Sequence, residues 1–414
     1  MNAPERDFGE PRHRPRVAFL ARNLRVGGAE RTYLNLANHV RQVIPVTVLL
    51  QRRGGLLHEL SDGLELHSLD APTAGGLISA DFLEEMSGGS PSQLLLECHR
   101  LRQLVDTLQI RVVTSFLMRA HLVALLVKIL FRPRLRVVLN IHEHMSESAR
   151  FLYPKRRDRA VAHWVASRLF PRADRIVVVA DELGRDLTAK FGVPAALLQT
   201  LANPVDLDRI RTLAMQPVEP PFPKDDRRPT ICAIGRLVYL KGYDVLLHAV
   251  ARLRSALPAR LVFVGDGDER SALVALATRL GLENDVHFVG WQRNPWAYLR
   301  GAHVLALSSR TEAFPSVLTE AMAVGVPIVA VECSAGIRDC LDGGKAGLLV
   351  SPDDAEALAR ALHRVLSEPA LAMTLSANGT KHVSQFALER RVAAYETMLL
   401  ETDGYRSDPP GIRA

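Results

Sequence analysis

Cysteine is scarce in this sequence. Cys98, Cys232, Cys333 and Cys340 are the four in 414 residues, and none stands in a Cys-x-x-Cys or Cys-x-x-His spacing. That excludes a structural zinc ribbon and a disulfide framework, and it fits a reducing compartment. Long apolar runs are also missing. The longest candidate, 117–131, is interrupted by Arg119, His121 and Lys128, so no transmembrane helix is expected. The first 16 residues are polar and basic without an apolar segment, which predicts no signal peptide. Neither half carries the glycine spacing and following acidic ribose ligand of a dinucleotide oxidoreductase. No interleaved aromatic and basic stretch or recognisable module marks a nucleic-acid protein.

What is present is the composition of a globular chain: 48% hydrophobic and 23% charged. The net charge of +7 favours anionic partners without choosing among nucleotide phosphates, acidic headgroups and nucleic acid. A single core rarely exceeds about 250–300 residues, so 414 residues predict two domains. Apolar, β-branched runs at 17–21, 46–51, 112–116, 137–140 and 176–179, then at 230–234, 261–264, 286–289, 304–307 and 327–331, alternate with helix-length segments such as 29–39, 243–256 and 355–366. That alternation predicts an α/β chain with parallel sheets covered on both faces. The prolines 204, 217, 220, 221, 223 and 229 predict a linker over 204–229 without an element of its own. The expected domains are 15–205 and 206–390, with a C-terminal helix and tail over 391–414 returning to the first. The Gly/Ser-rich stretch 75–91 reads as a long loop, and the tail after Thr402 as disordered.

The motifs concentrate at predicted strand ends. Gly235-Arg236-Leu237 follows a strand, and Lys241-Gly242 opens the next helix. A glycine there lets backbone approach a ligand, and a helix start offers free amides and a positive dipole end. With Arg236 and Lys241 this becomes a diphosphate site, although an ordinary strand–loop–helix junction with solvated cations has the same pattern. Gly265-Asp266-Gly267-Asp268 also follows a strand. We read it as a turn, with Asp268 able to cap the next helix, rather than as a metal clamp. A metal would need further oxygen ligands, and none is assigned.

Residues 308–327 read Ser-Ser-Arg-Thr-Glu-Ala-Phe-Pro-Ser-Val-Leu-Thr-Glu-Ala-Met-Ala-Val-Gly-Val-Pro. Pro315 suits a first helical turn and Gly325 a helix end. Glu312 then lies in a loop and Glu320 on a short helix, both placed to accept hydrogen bonds from hydroxyls. The amides of Ser316 and Val317 become free helix-start donors. In the first half, Gly27-Gly28 precede a helix and permit close backbone approach, and His142 stands at a strand end, where parallel sheets bind ligands.

Gly235-Arg236-Leu237 with Lys241-Gly242, Gly265-Asp266-Gly267 with Arg270, and Glu312-x7-Glu320 followed by Ala321-Met322-Ala323-x-Gly-x-Pro resemble, in order and spacing, family 4 of the retaining GT-B-fold glycosyltransferases. Val26-Gly27-Gly28-Ala29-Glu30-Arg31 resembles the start of many members. The resemblance implies two Rossmann-like domains with parallel sheets facing across a cleft, and a nucleotide diphosphate sugar as donor, UDP-linked by preference. It places Arg236 and Lys241 on the diphosphate, Glu320 on the ribose, Glu312 on the donor sugar and His142 on the sugar in transfer. Gly27, Gly28, Gly235, Gly265, Phe314, Ser316 and Val317 complete the donor site. It implies neither metal nor cofactor, and retention with the leaving phosphate helping to deprotonate the acceptor. The sequence departs at Ala313, where the family often has Gly, at Asp268, where it often has Pro, and at Asp181, where it usually has Ser. We read Ala180-Asp181-Glu182 as a helix cap and Asn203-Pro204-Val205-Asp206 as a cap and hinge.

The acceptor class implied is a glycan or lipid-linked molecule in polysaccharide or glycoconjugate synthesis. The basic, apolar segment 151–175, with Trp164, Arg157 and Arg168, suits an anionic membrane surface at the inner face of a cytoplasmic location; it equally suits a core-packed helix with a solvated basic face. The alternatives are a GT-B nucleotide-sugar 2-epimerase and a non-catalytic assembly partner.

Overall fold

The computed structural model describes residues 14–22, 24, 28–51, 60, 63–69, 91–147, 156–219, 221–223 and 225–404. The predicted loop at 75–90 and Gly27 lie outside them, as do residues 405–414 of the tail.

The first half builds β1 (Arg16–Ala21), α1 (Gly28–Val40), β2 (Val46–Leu50), β3 (Glu65–Ser68), α2 (Pro91–Thr107), β4 (Ile110–Phe116), α3 (Met118–Leu130), β5 (Arg136–Ile141), α4 (Arg156–Leu169), β6 (Arg175–Val178), α5 (Asp181–Phe191) and β7 (Leu198–Thr200). Its strands form one parallel sheet in the order β3-β2-β1-β4-β5-β6-β7. After α6 (Leu207–Ala214) the second half builds β8 (Thr230–Ile234), α7 (Tyr243–Leu253), β9 (Arg260–Val264), α8 (Arg270–Arg279), β10 (Val286–Gly290), α9 (Pro295–Arg300), β11 (Val304–Leu307), α10 (Ser316–Val324), β12 (Ile328–Val331), α11 (Ala335–Cys340), β13 (Leu348–Val350), α12 (Ala355–Ser367), α13 (Pro369–His382) and α14 (Leu388–Asp403). Its sheet is also parallel, in the order β10-β9-β8-β11-β12-β13. The central strands are buried along almost their whole length, as parallel strands roofed by helices on both faces must be.

Between the sheets, the expected structureless linker contains α6. The prolines that suggested a linker lie outside the helix, at 204 and from 217 onward, and Asp206 caps it by accepting from the Arg209 amide at 2.9 Å. α6 buries Ile210 and Ala214 and packs on α9 and α10.

The chain leaves the first sheet at Val205 and returns at Ala387, and these two crossings are hydrogen-bonded to each other. The Val205 amide donates to Phe386 O and the Leu388 amide to Val205 O, both at 2.9 Å. The two connections therefore run side by side. Beyond them, α14 packs on the first sheet, burying Leu388, Val392, Tyr395 and Met398 with Phe19, Tyr33 and Phe116. The Tyr395 hydroxyl shares a hydrogen bond with Thr114 Oγ1 (2.5 Å) and donates to Asn140 Oδ1 (2.9 Å). The last helix thus steadies the strand end that carries His142.

Candidate active site

In a parallel sheet with helical crossovers, side chains at the carboxyl ends of the strands collect in the loops along one edge. Here the two such edges face each other. The start of α5, after β6, meets the start of α11, after β12, where the Ala335 amide donates to Glu182 at 2.5 Å. Arg31, early in α1, lies over the ring of Trp296 in α9, 5.1 Å from its centroid.

On the second domain two loops interlock. The loop after β8 places Lys241 Nζ 2.5 Å from Glu312 Oε1, and Ser309 Oγ donates to the same oxygen at 2.8 Å. Ser308 Oγ donates to Lys241 O (2.9 Å), and the Arg310 amide donates to Leu240 O (2.8 Å). Arg310 forks onto Asp244 and lies over the Tyr239 ring, 4.2 Å from its centroid. Lys241 and Glu312, each assigned from sequence to a donor, are therefore partners of each other, and their side chains are 22% and 14% exposed. Burial, then the Glu312 carboxylate, push the neighbouring Cys333 thiol up to about 12, so it is protonated and inert at neutral pH. Arg236, one residue after the Gly235 that abuts the Lys241 side chain, is exposed.

The glycines acquire a packing reason. Gly265 has φ +145°, and a Cβ there would lie 2.0 Å from Gly235 O; Gly235 has φ +152°. The backbones of the two strand ends touch directly, so close ligand approach is not the only demand on them. Gly265→Ala should combine left-handed strain with a backbone clash. We expect a loss of about 3 kcal/mol or more, read as a lower urea midpoint with an unchanged slope.

Several expectations change in detail. Asp268 does not cap the following helix: the N-cap of α8 is Glu269, without a side-chain bond, and the turn closes through Arg270 N to Gly267 O at 3.0 Å. Asp266 turns back on its neighbour's amide, Gly267 N, at 2.9 Å. Phe314 does not present its ring to the cleft. It is buried edge-on against Phe386, centroids 5.2 Å apart, next to the Val205–Ala387 crossing, so a donor would meet its backbone. Val317 is likewise buried, leaving its amide as the useful group; Pro315 gives α10 no side-chain cap, so the first amides, Ser316 and Val317, are not capped. Glu182 does not cap its own helix but reaches the other domain.

Glu320 points to the domain boundary. With Arg31, Thr32, Asn35, Asp206 and Trp296 it lines a small cavity of about 30 Å³. Burial raises its carboxyl above the usual range, against the opposing influence of Arg31 and Trp296. Arg31, within the Gly-Gly-Ala-Glu-Arg stretch, and Ser309, three residues before Glu312, were the sequence signals for these neighbours, and neither was singled out. Gly28 begins α1. His142 follows β5, stacked on Phe116 with centroids 5.7 Å apart. Burial lowers its pKa to about 4, and neither ring nitrogen has a hydrogen-bond partner. It is a neutral imidazole, with the Asn203 side chain opposing the effect of burial.

Residues 26–209 match the family model "Glycosyltransferase Family 4", and residues 217–382 match "Glycosyl transferases group 1". The chain is 36% identical over 172 residues to a lipopolysaccharide core biosynthesis glycosyltransferase, LpsE, of Rhizobium meliloti, a match covering 41% of this chain and 49% of that one, about half its length. It is 29% identical over 273 residues to the N-acetylgalactosamine-N,N'-diacetylbacillosaminyl-diphospho-undecaprenol 4-alpha-N-acetylgalactosaminyltransferase of Campylobacter jejuni, covering 66% and 71%. The structure superposes on Anabaena HepE, solved with UDP and glucose, with a TM-score of 0.74 at 21% identity over 94% of this chain and 100% of the other. Two family models in the expected order, on two parallel sheets whose carboxyl edges face across a cleft, place this chain among the GT-B glycosyltransferases of the family 4 type.

Proposed function

We propose that this protein transfers a sugar from a nucleoside diphosphate sugar to a glycan or lipid-linked acceptor in polysaccharide, lipopolysaccharide or other glycoconjugate synthesis. UDP is the preferred nucleotide, since HepE binds it, and the anomeric configuration is retained. The observation that carries the reading is the Lys241–Glu312 pair, its lysine in the same loop after β8 as the exposed Arg236.

Departure of the diphosphate leaves negative charge on its oxygens. Lys241, Arg236 and the uncapped amides of Ser316 and Val317 neutralise it without reorganising at the moment of reaction. The leaving phosphate takes the acceptor proton. Glu312 accepts from sugar hydroxyls and Glu320 from the ribose. His142, neutral at any pH well above 4, gives and takes hydrogen bonds with the sugar but does not titrate near neutrality. Transfer should respond to no histidine ionisation from this residue.

The test is a panel of nucleotide sugars scored by nucleoside diphosphate release, with and without lipid extract, and with the product anomer read by NMR. Release with one donor and retained configuration is expected. No release from any donor would sink the reading, and isomerisation of a UDP-N-acetylhexosamine alone would replace it with the epimerase. EDTA should leave the rate unchanged.

Glu320 gives a pH prediction with a definite sign. Burial favours its protonated form in the free protein, whereas ribose hydroxyls donate best to the carboxylate. Nucleotide binding should therefore release a proton, and affinity should rise with pH until Glu320 is ionised and then level off. UDP titrations by calorimetry from about pH 5 to 8 check this; Glu320→Gln should bind more weakly and lose the slope.

On the acceptor side, α4 within 151–175 has a core face and an exposed face. Ala162, Val165 and Ala166 are core residues, while Trp164 and Val161 are 57% and 51% exposed near Arg156 and Arg157. Phe151 and Leu152 lie outside the described residues. Among those residues no helix is long and apolar enough to cross a membrane. We place the outer face of α4 against anionic lipid at the inner surface of the membrane. Trp164→Ser should lower co-sedimentation with anionic vesicles about tenfold or more and leave binding to zwitterionic ones unchanged.

A further inference from the structure

Three segments from three parts of the chain stack where the first domain meets the donor loop. Ala180–Glu182 opens α5 in the first domain. Ser334–Gly336 opens α11 in the second. Ala313 belongs to the loop that carries Glu312. Gly336 lies between the other two: a Cβ on it would sit 1.9 Å from Ala313 O and 3.2 Å from Ala180 Cβ. The Ala335 amide donates across the boundary to Glu182 Oε2 at 2.5 Å. The helix's own cap, Ser334 Oγ, serves a different amide, Ile337 N, at 3.4 Å.

Glu182 is itself braced. His144 Nε2 lies 3.3 Å from Glu182 Oε1, and His144 Nδ1 is 3.9 Å from Asp186 Oδ2. Asp186 accepts from Ser146 N (3.2 Å) and Ser146 Oγ (2.6 Å) and pairs with Lys190 at 3.2 Å. Asp186, then Glu182 and Glu147, hold the buried His144 above its ordinary pKa against the cost of burial. An imidazole buried between two carboxylates that favour its charged form restrains the rotamer of the outer one. The outward bond of this cluster crosses to the other domain.

We propose that Glu182 is a positioning residue for sugar transfer: its carboxylate, braced by His144, latches the start of α11 when the domains close and so holds the Ala313 carbonyl and the adjoining Glu312 against the donor. This rests on the function proposed above. Because the bond spans the cleft, it is made only in the closed arrangement and favours that arrangement. Glu182 touches neither donor nor acceptor in this assignment; it acts through Gly336 and Ala313.

Hydrogen exchange and kinetics on the full chain test it together. In Glu182→Ala, the amides of 334–337 should exchange about tenfold faster, with the rest of each domain unchanged. Turnover with the donor identified by the panel should fall by about tenfold or more, with the melting temperature held. Glu182→Gln keeps an oxygen acceptor and should recover most of both losses. His144→Gln should give an intermediate loss in both. Unchanged exchange at 334–337 in Glu182→Ala would overturn the latch. Faster exchange with full turnover would overturn the positioning role. If no donor is turned over by the wild-type chain, the function falls and the positioning role falls with it, while the exchange result still decides whether the latch exists.

Discussion

Replacing Lys241 by methionine should slow sugar transfer by about 10²–10³-fold, the cost expected when one preorganised charge is taken from a desolvated transition state. The chemistry explains why a neutral chain of similar length does not substitute. As the sugar–phosphate bond breaks, charge grows on the diphosphate, and only a group already in place stabilises it without reorganisation. In the structure Lys241 waits against Glu312 at 2.5 Å, with Ser309 sharing that oxygen. The variant therefore loses something from the resting protein as well, because Glu312, 14% exposed, is left without its cation. Breaking a buried pair costs about 3–5 kcal/mol, and this partly solvated one should cost less. The two losses separate in a cycle. Adding Glu312→Gln to Lys241→Met removes the stranded charge and should recover stability in urea unfolding, but transfer should stay low because both donor contacts are gone. If the double variant recovers transfer together with stability, the lysine serves the fold and the leaving-group role is wrong. Near-normal turnover in the single variant would end the argument sooner.

That pairing marks the limit of what the sequence disclosed. Nine of the ten predicted strands were legible because each buries nearly every residue, leaving short apolar runs with turn residues on either side; the tenth, β10, is an edge strand that buries only Val286 and was legible from its Val-His-Phe-Val run alone. The strands β3, β7 and β13 were not legible. They lie at the outer edges of the two sheets, have three or four residues and are largely half-exposed; β3 and β7 carry no apolar run, and the apolar run of β13 is only three residues long. The helix α6 was hidden by its surroundings: prolines on both sides suggested a linker, although Leu207, Ile210, Leu213 and Ala214 keep a helical period between them. For the site, residue types and spacing pointed to Lys241, Glu312 and Glu320, but a pattern within one loop carries no information about a partner 71 residues away. Glu182 shows the same limit more sharply. In sequence it is an acidic residue in a first helical turn, well placed to serve its own helix; in the fold it serves an amide 153 residues on, in the other domain. Gly235 was read as a glycine that lets backbone approach a ligand and Gly265 as part of a turn, whereas in the fold a Cβ on Gly265 would meet Gly235 O and one on Gly235 would meet the Tyr243 hydroxyl.

Gly336→Ala should reduce transfer about a hundredfold or more while leaving both sheets folded. Its backbone is in no positive-φ conformation, so the reason is contact and not strain. The added Cβ would stand 1.9 Å from Ala313 O, a backbone atom that cannot swing aside as a side-chain end can. Relief requires a shift of at least about 1 Å in either the 334–336 turn or the Ala313 loop, since ordinary contacts to carbon begin near 3.4 Å and proteins pack without slack. Moving the loop displaces Glu312, one residue before Ala313, and a displacement of about 1 Å at reacting groups is enough for a loss of that size. Moving the turn instead lifts Ala335 N from Glu182 and pushes on Ala180, which opens the boundary between the domains. The two routes have different signatures. A displaced loop should cut kcat while UDP affinity and exchange at 334–337 stay near wild type. A displaced turn should resemble Glu182→Ala, with faster exchange at those amides, and combining the two substitutions should then add little. Full turnover in Gly336→Ala would show that the contact yields without consequence, and the donor loop would have to be held by something other than the packing of Ala313 on this glycine.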